Sequence, residues 1–233
     1  MSKTISSATA NRAAARRAVF GSLTLAGVLM TFIYYRFVFP WINRWGATDS
    51  EVQETLPGDE LVAKPTYTTT HVVTVEATPE QIYPWLIQLG VDRGGMYSYT
   101  SIESILGLHV TNAERIHPEW QHLKVGDLVR FTPEHYFLNP GPGLWVQQME
   151  PPHVLVFAFG VETQIPEPVT VTWQFVLRPQ DDGSTRLILR GQNDVGSGIG
   201  AALAKLGAGP WFIMERQMLW GIKERAERMA ARD

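Results

Sequence analysis

The most chemical-looking stretch of the sequence is Asp92-Arg93-Gly94-Gly95-Met96-Tyr97-Ser98-Tyr99. Paired glycines let a backbone turn tightly, and tyrosines two apart in an extended segment face the same side. Asp92 and Arg93 could form a polar latch at a pocket mouth, with the Tyr97 and Tyr99 hydroxyls orienting a ligand. The same residues also suit a helix-to-helix turn with an ion pair and half-buried tyrosines. Arg190, between Leu189 and Gly191, could hold a carboxylate or carbonyl if it points inward. Otherwise it faces solvent or pairs with an acid on the next strand. The six histidines (His71, His109, His117, His122, His135, His153) show no HxxxH or HExxH spacing. Glu119 and His122 give at most one ligand pair, so no metal site is expected. His135, between Glu134 and Tyr136, is an acid–base candidate without a partner. The absence of cysteine excludes disulfides, thiolate metal sites and cysteine nucleophiles. There is no Gly-x-Ser-x-Gly elbow and no phosphate loop. Gly196-Ser197-Gly198-Ile199-Gly200-Ala201 fits a loose dinucleotide fingerprint, but no strand follows to complete a βαβ unit. It reads as a flexible lead-in to the final helix, and no cofactor is expected.

A second constellation is apolar. Phe157, Phe159, Trp173 and Phe175, with Trp145 on a neighbouring strand, recur at every second residue and so share sheet faces. With Met214 and Met218 on the last helix they could line a cavity that adapts to an apolar guest. Ordinary core packing is the competing reading.

These residues must be positioned by a definite order of elements. Tyr67–Ala77, rich in Thr and Val, predicts a strand. Thr78-Pro79-Glu80 starts a helix, with Thr78 as N-cap and Pro79 at the first helical position. Ile82, Trp85, Leu86 and Leu89 have helical spacing, and Gly90 closes the run. A short helix is expected over Thr100–Leu106. The period then changes. Asp127–Thr132, Leu144–Met149, Val154–Gly160, Val169–Arg178 and Thr185–Gly191 read as a meander, with Asp181-Asp182-Gly183 as a hairpin turn. The chain ends in a helix over Pro210–Arg228. One of its faces is marked by Trp211, Met214, Met218, Ile222 and Arg225, with Glu215, Lys223, Glu224, Glu227 and Arg228 mostly elsewhere. Segregated strands and helices predict an α+β domain in which a curved antiparallel sheet wraps a long C-terminal helix.

Ahead of this domain the charge and hydropathy change abruptly. Residues 1–17 carry Lys3, Arg12, Arg16 and Arg17 and no acid, so a +4 tail leaves −7 for the rest of a chain of formal charge −3. An acidic body argues against a nucleic-acid partner. Residues 18–40 are almost uncharged and, at about 22 apolar residues, could cross ~30 Å of hydrocarbon. Arg36 can snorkel to headgroups, and Tyr34, Tyr35, Trp41 and Trp45 cluster at the same end as an aromatic belt. A cleaved signal peptide would need a small-x-small site, where Phe39-Pro40-Trp41 stands instead. A core helix would need a polar face. The expectation is a single-pass membrane anchor, with the Lys/Arg bias favouring the N-terminus in the cytoplasm and the domain outside. Residues 41–65 read as a juxtamembrane linker with one short helix, from the Thr48-x-x-Glu51 capping box through Leu56.

Over residues 66–231 the chain resembles the SRPBCC (START/Bet v1-like, polyketide-cyclase-like) superfamily. The carriers are Val72–Ala77, Pro79-Glu80-Gln81-Ile82-Tyr83-Pro84-Trp85-Leu86, Gly183-Ser184-Thr185-Arg186-Leu187 and the final helix. Arg44-Trp45-Gly46-Ala47-Thr48-Asp49, Pro57-Gly58-Asp59-Glu60-Leu61, Asp92–Tyr99 and Met214-Glu215-Arg216-Gln217-Met218-Leu219 extend the likeness to a bacterial, membrane-anchored subgroup. The resemblance implies the helix-grip fold and a hydrophobic cavity. It carries over no catalytic residue.

Three functions are therefore expected to compete. The first is membrane-tethered binding of an apolar small molecule (lipid, isoprenoid or polyketide-like), with Tyr97, Tyr99, Trp145, Phe157, Phe159, Trp173, Phe175, Arg190, Met214 and Met218 as candidate ligand contacts. The second is a cyclase or hydratase with two titratable groups converging in the same cavity, drawn from Asp92, Tyr97, Tyr99, His135 and Arg190. The third is a protein-interaction domain at the membrane, which requires an exposed apolar patch and a filled interior.

Overall fold

The computed structural model describes residues 20–105, 107–108, 110–133, 136–137, 141–161 and 163–232. His135 lies outside them. The chain divides into two compact units, Met1–Trp41 and Ile42–Asp233.

The described part of the first unit is helical. Helix α1, Phe20–Ile42, has a mean hydropathy of 1.5 over its best window and is long and apolar enough to cross a membrane. Its 23 residues span roughly 35 Å at 1.5 Å each. Phe20, Leu23, Leu25, Leu29, Met30 and Phe32 are exposed along it. Tyr34, Tyr35 and Phe39 pack edge-on or tilted against one another near its end. Trp45 departs from the expected belt. Its ring packs at 5.9 and 5.8 Å from Phe212 and Trp220, within the second unit.

The second unit is the α+β domain. Its strands are β1 (Tyr67–Val75), β2 (Leu128–Arg130), β3 (Pro142–Glu150), β4 (Val154–Val161), β5 (Val171–Pro179) and β6 (Thr185–Asn193). They form one antiparallel sheet in the order β1-β6-β5-β4-β3-β2. Between β1 and β2 come helices α3 (Pro79–Ile87) and α4 (Thr100–Ile105), preceded in the chain by the short α2 (Asp49–Gln53). Thr78 and Gln81 form a reciprocal capping box at the start of α3, as the Thr-Pro-Glu signal required. The last helix, α5 (Gly198–Ala230), lies against α3 and β1. This is the helix-grip, START-like architecture.

The core is sealed where sheet face and helix stripe meet. Val73, Phe157, Phe175, Leu187 and Leu189 from the inner sheet face pack with Ile82, Leu86 and Leu89 of α3 and Met218, Leu219 and Ile222 of α5. Gly221 lets α5 approach the backbone at Tyr97 closely. A Cβ there would sit 2.3 Å from the carbonyl oxygen of Tyr97.

Two expectations change. Helix α5 begins at Gly198, not Pro210. The alanines of this stretch are good helix formers and Ile199, Leu203 and Leu206 recur at helical spacing, but Gly198, Gly200, Gly207, Gly209 and Pro210 stand among them and read as breakers. Residues 42–65 also form no free linker. The backbones of Thr70 and Val72 donate to the carbonyls of Asn43 and Trp45, so this segment covers the open edge of β1. The turn needs Gly46 (φ 75°), whose hypothetical Cβ would lie 2.0 Å from the Val72 oxygen. Leu56 then plugs into Val72, Val176 and Ile188 on the outer sheet face.

Three ion pairs tie that segment down: Glu51–Arg186 at 2.7 Å, Glu54–Arg178 at 2.8 Å and Asp59–Arg190 at 2.8 Å. Burial would raise the Glu51 carboxyl. The Arg186 guanidinium and the Thr48 backbone and hydroxyl outweigh it and hold the pKa down at about 2.

Candidate functional site

Between α5 and the inner sheet face lie two cavities, separated by a wall of Gly207, Trp211 and Glu215 from α5 and Trp173 from β5. The larger, of about 460 Å³, is bounded by Val91, Met96, Phe131, Pro210, Met214 and Met218, with Ser98 and Glu103 as its other polar side chains. The smaller, of about 330 Å³, has a polar side made by Asn43, Tyr67, Thr69, His71 and Asn193 and an aromatic side made by Phe159 and Phe212. Both fall in the size range of small-molecule sites, ~300–1,000 Å³.

The wall is held by a buried acid. Glu215 (4% exposed) accepts on Oε1 from the indole nitrogens of Trp173 at 2.7 Å and Trp211 at 2.9 Å. Its Oε2 lies 3.1 Å from His71 Nδ1, within ion-pair distance although not aligned as a hydrogen bond. His71 Nε2 is 2.8 Å from the carbonyl oxygen of Ile42, which can only accept, so that nitrogen carries a proton. Within the dyad, Glu215 Oε1 and His71 Nε2 are hydrogen-bonded inside the protein, while His71 Nδ1 and Glu215 Oε2 face one another at ion-pair distance. The geometry clamps α5 to β1 and β5.

The ten residues expected to contact a ligand separate by sheet face. Phe159 and Trp173 line cavities from the inner face, and Met214 and Met218 line the larger one from α5. Phe157 and Phe175 share that inner face but are fully buried beneath it. Trp145 is on the other face. It pairs with Ala158 rather than with Phe157 or Phe159, and its indole donates to the Val161 carbonyl at 3.0 Å. Arg190 is also on the outer face, where it donates to Asp59 and to the carbonyls of Glu51 and Glu54. It is a structural clasp rather than a ligand contact.

Tyr97 is a core brace. Its φ is 55°, its hydroxyl accepts from Gln88 Nε2 at 2.9 Å, and the Arg225 guanidinium stacks 5.0 Å from its ring. Burial pushes its pKa well above the usual phenol range. Tyr99 is exposed and lines neither cavity. Asp92 pairs with Arg130 at 3.6 Å and Arg93 donates to the Trp120 carbonyl, so the Asp92–Tyr99 stretch is a braced turn. Among the described residues, no group of three His, Asp or Glu side chains could hold a metal ion.

The sequence reading missed His71, Glu103, Trp211 as a wall residue, and Glu215, which it placed off the buried face. The signal for Glu215 was its spacing four residues after Trp211 and one after Met214, inside the helical stripe.

The chain is similar in part to several solved structures. The solution structure of the Aha1 dimer from Colwellia psychrerythraea shows 15% identity, covers 70% of this chain and 97% of that one, and has a TM-score of 0.40. The self-sacrificing resistance protein CalC from Micromonospora echinospora shows 11% identity over 71% of this chain and 97% of that one, with a TM-score of 0.45. An HSP90 activator from Plasmodium falciparum shows 14% over 61% and 86%, with a TM-score of 0.34. No family model and no curated protein matches the chain. The strand order and the gripping helix are those of a helix-grip, START-like fold. Nothing about ligand or activity is carried across at these identities.

Proposed function

We propose that this protein is a membrane-tethered binding module that takes an apolar small molecule, a lipid, isoprenoid or polyketide-like compound, into the larger cavity. The observation that carries the reading is the cavity itself. A space of about 460 Å³, bounded by Met96, Phe131, Met214 and Met218, is of ligand size, and its methionines can repack around different guests. The apolar helix α1 supports a tether, because an anchor keeps such a cavity close to where apolar molecules are concentrated. The basic tail ahead of α1 favours a cytoplasmic N-terminus with the domain outside. Ile199, Leu203, Leu206 and Ile213 are exposed on one side of α5, next to the cavity-lining Gly207 and Pro210, and suit loading from a bilayer.

Native mass spectrometry with lipid extraction, on a fragment starting a few residues before Ile42, tests the reading. A stoichiometric apolar adduct, or saturable uptake of a fluorescent fatty-acid or sterol probe, is the expected result. A protein that carries nothing and binds neither probe refutes it.

A further inference from the structure

The larger cavity has three polar side chains in its lining, and two are already committed. Ser98 Oγ donates to the Met214 carbonyl at 3.1 Å, and Glu215 is held by two indoles and His71. Glu103 on α4 is different. It is 2% exposed, lines this cavity, and its Oε2 has no hydrogen-bond partner among the described residues. A buried polar atom without a partner costs stability and calls for an explanation. Glu103 belongs to the six-residue helix α4, which contributes Ile102 as well as Glu103 to the cavity lining. Burial pushes the Glu103 pKa upward, and a carboxyl can offer a guest an acceptor oxygen or, when protonated, one O–H.

We infer that Glu103 is the head-group contact of this cavity, and that the guest is a neutral single-chain amphiphile. Its hydroxyl or carbonyl oxygen hydrogen-bonds the Glu103 carboxyl while its chain lies against Met96, Phe131, Met214 and Met218. The inference rests on the binding reading above. Alternatives fit less well on physical grounds. A plain hydrocarbon leaves Oε2 unpaired. A carboxylate would have to shed its water beside another acid, and an ammonium would have to ionise Glu103 and bury both charges.

The test uses the full chain in phosphatidylcholine nanodiscs and four diazirine-bearing probes of equal chain length: an alcohol, an alkane, a fatty acid and an alkylamine. Photolabelling is mapped by mass spectrometry to residues 91–96 and 210–218, and half-maximal concentrations are compared. In the native protein the alcohol is expected to label best. Glu103→Leu should weaken the alcohol about five- to tenfold and leave the alkane unchanged or tighter, which corresponds to one hydrogen bond. Glu103→Gln, which still has a donor, should keep most of the alcohol affinity. The Leu variant removes an unpaired carboxyl, so it should melt no lower than the native chain, and weakened binding then cannot be ascribed to unfolding.

Equal alcohol and alkane labelling, or an alcohol indifferent to Glu103→Leu, overturns the head-group assignment while binding stands. Preference for the amine or the acid overturns the neutral class. If no probe labels the cavity, the binding reading itself fails.

Discussion

Replacing Glu215 with leucine should be among the most damaging single changes in the domain, although the new side chain is apolar and similar in size. The carboxylate serves three partners: the indoles of Trp173 and Trp211 at 2.7 and 2.9 Å and His71 Nδ1 at 3.1 Å. Without it, the Trp173 N–H and His71 stay buried with no substitute, while the half-exposed Trp211 can turn to water. A stranded buried polar group costs about 1–3 kcal/mol, so two amount to roughly 2–6 kcal/mol before a small apolar gain from leucine. An expected loss of about 3–4 kcal/mol corresponds to roughly 10 °C in the melting temperature of a domain this size. Glu215→Gln should cost only about 1 kcal/mol. Its oxygen can still accept from both indoles, and its amide can donate to a neutral His71 Nδ1. Near-UV circular dichroism melts of the two variants, with His71→Phe and the double mutant to complete a cycle, separate the partners. If Glu215→Leu lies within about 0.5 kcal/mol of the native protein, as a surface change would, the clamp does not exist.

Other expectations concern the outer face and the helix packing. Because the Glu51 pKa falls from 4.5 unfolded to about 2 folded, its contribution is complete above 4.5 and is lost as pH falls toward 2. Denaturant midpoints across that window should drop less steeply in Arg186→Met than in the native chain, and equal slopes would refute the pair. Arg190→Met leaves Asp59 without its cation, although the Leu56 N–H and Gln192 still donate to it, and removes the Arg190 donors to the Glu51 and Glu54 carbonyls, a loss of about 3–5 kcal/mol. It should speed proteolysis within residues 50–61, and an unchanged cleavage pattern would show that the segment is held by other means. Gly221→Ala should destabilise by about 1–3 kcal/mol, measured by urea titration, because its Cβ would collide with the Tyr97 carbonyl. A stabilised variant would mean that helix propensity wins and the contact is loose.

The fold was legible because its signals are local. The Thr78-Pro79 cap, the Asp181-Asp182-Gly183 turn and strand alternation each act within a few residues and need no knowledge of partners. The site was legible only in part, because face assignment needs register. Trp145 and Phe157 both sit at odd positions, but the β3/β4 register opposes Trp145 to Ala158 and sends its ring to the other side. Arg190 could not be assigned from its strand, because its acid comes from Asp59, a segment 131 residues away. The folding-back of residues 42–61 was hidden for the same reason. Its Glu51, Glu54 and Asp59 read as a solvated acidic linker until three arginines of β5 and β6 are brought opposite them.

That division of labour bears on which inner carboxyl faces a guest. The outer face carries the ion pairs that fasten the segment, so the interior is free to be mostly apolar, and among the described residues two carboxyls, those of Glu103 and Glu215, line the larger cavity. Both line the larger cavity and both are nearly inaccessible, so burial alone does not distinguish them. Their partners do. Glu215 spends its oxygens on two indoles and a histidine, which makes it a structural member. Glu103 lines a cavity of ligand size and has a buried Oε2 with no partner among the described residues. A protein gains nothing in stability from a stranded carboxyl, and leucine would serve α4 better at that position. The feature that makes Glu103 a poor choice for folding is what marks it as the contact for a guest's oxygen.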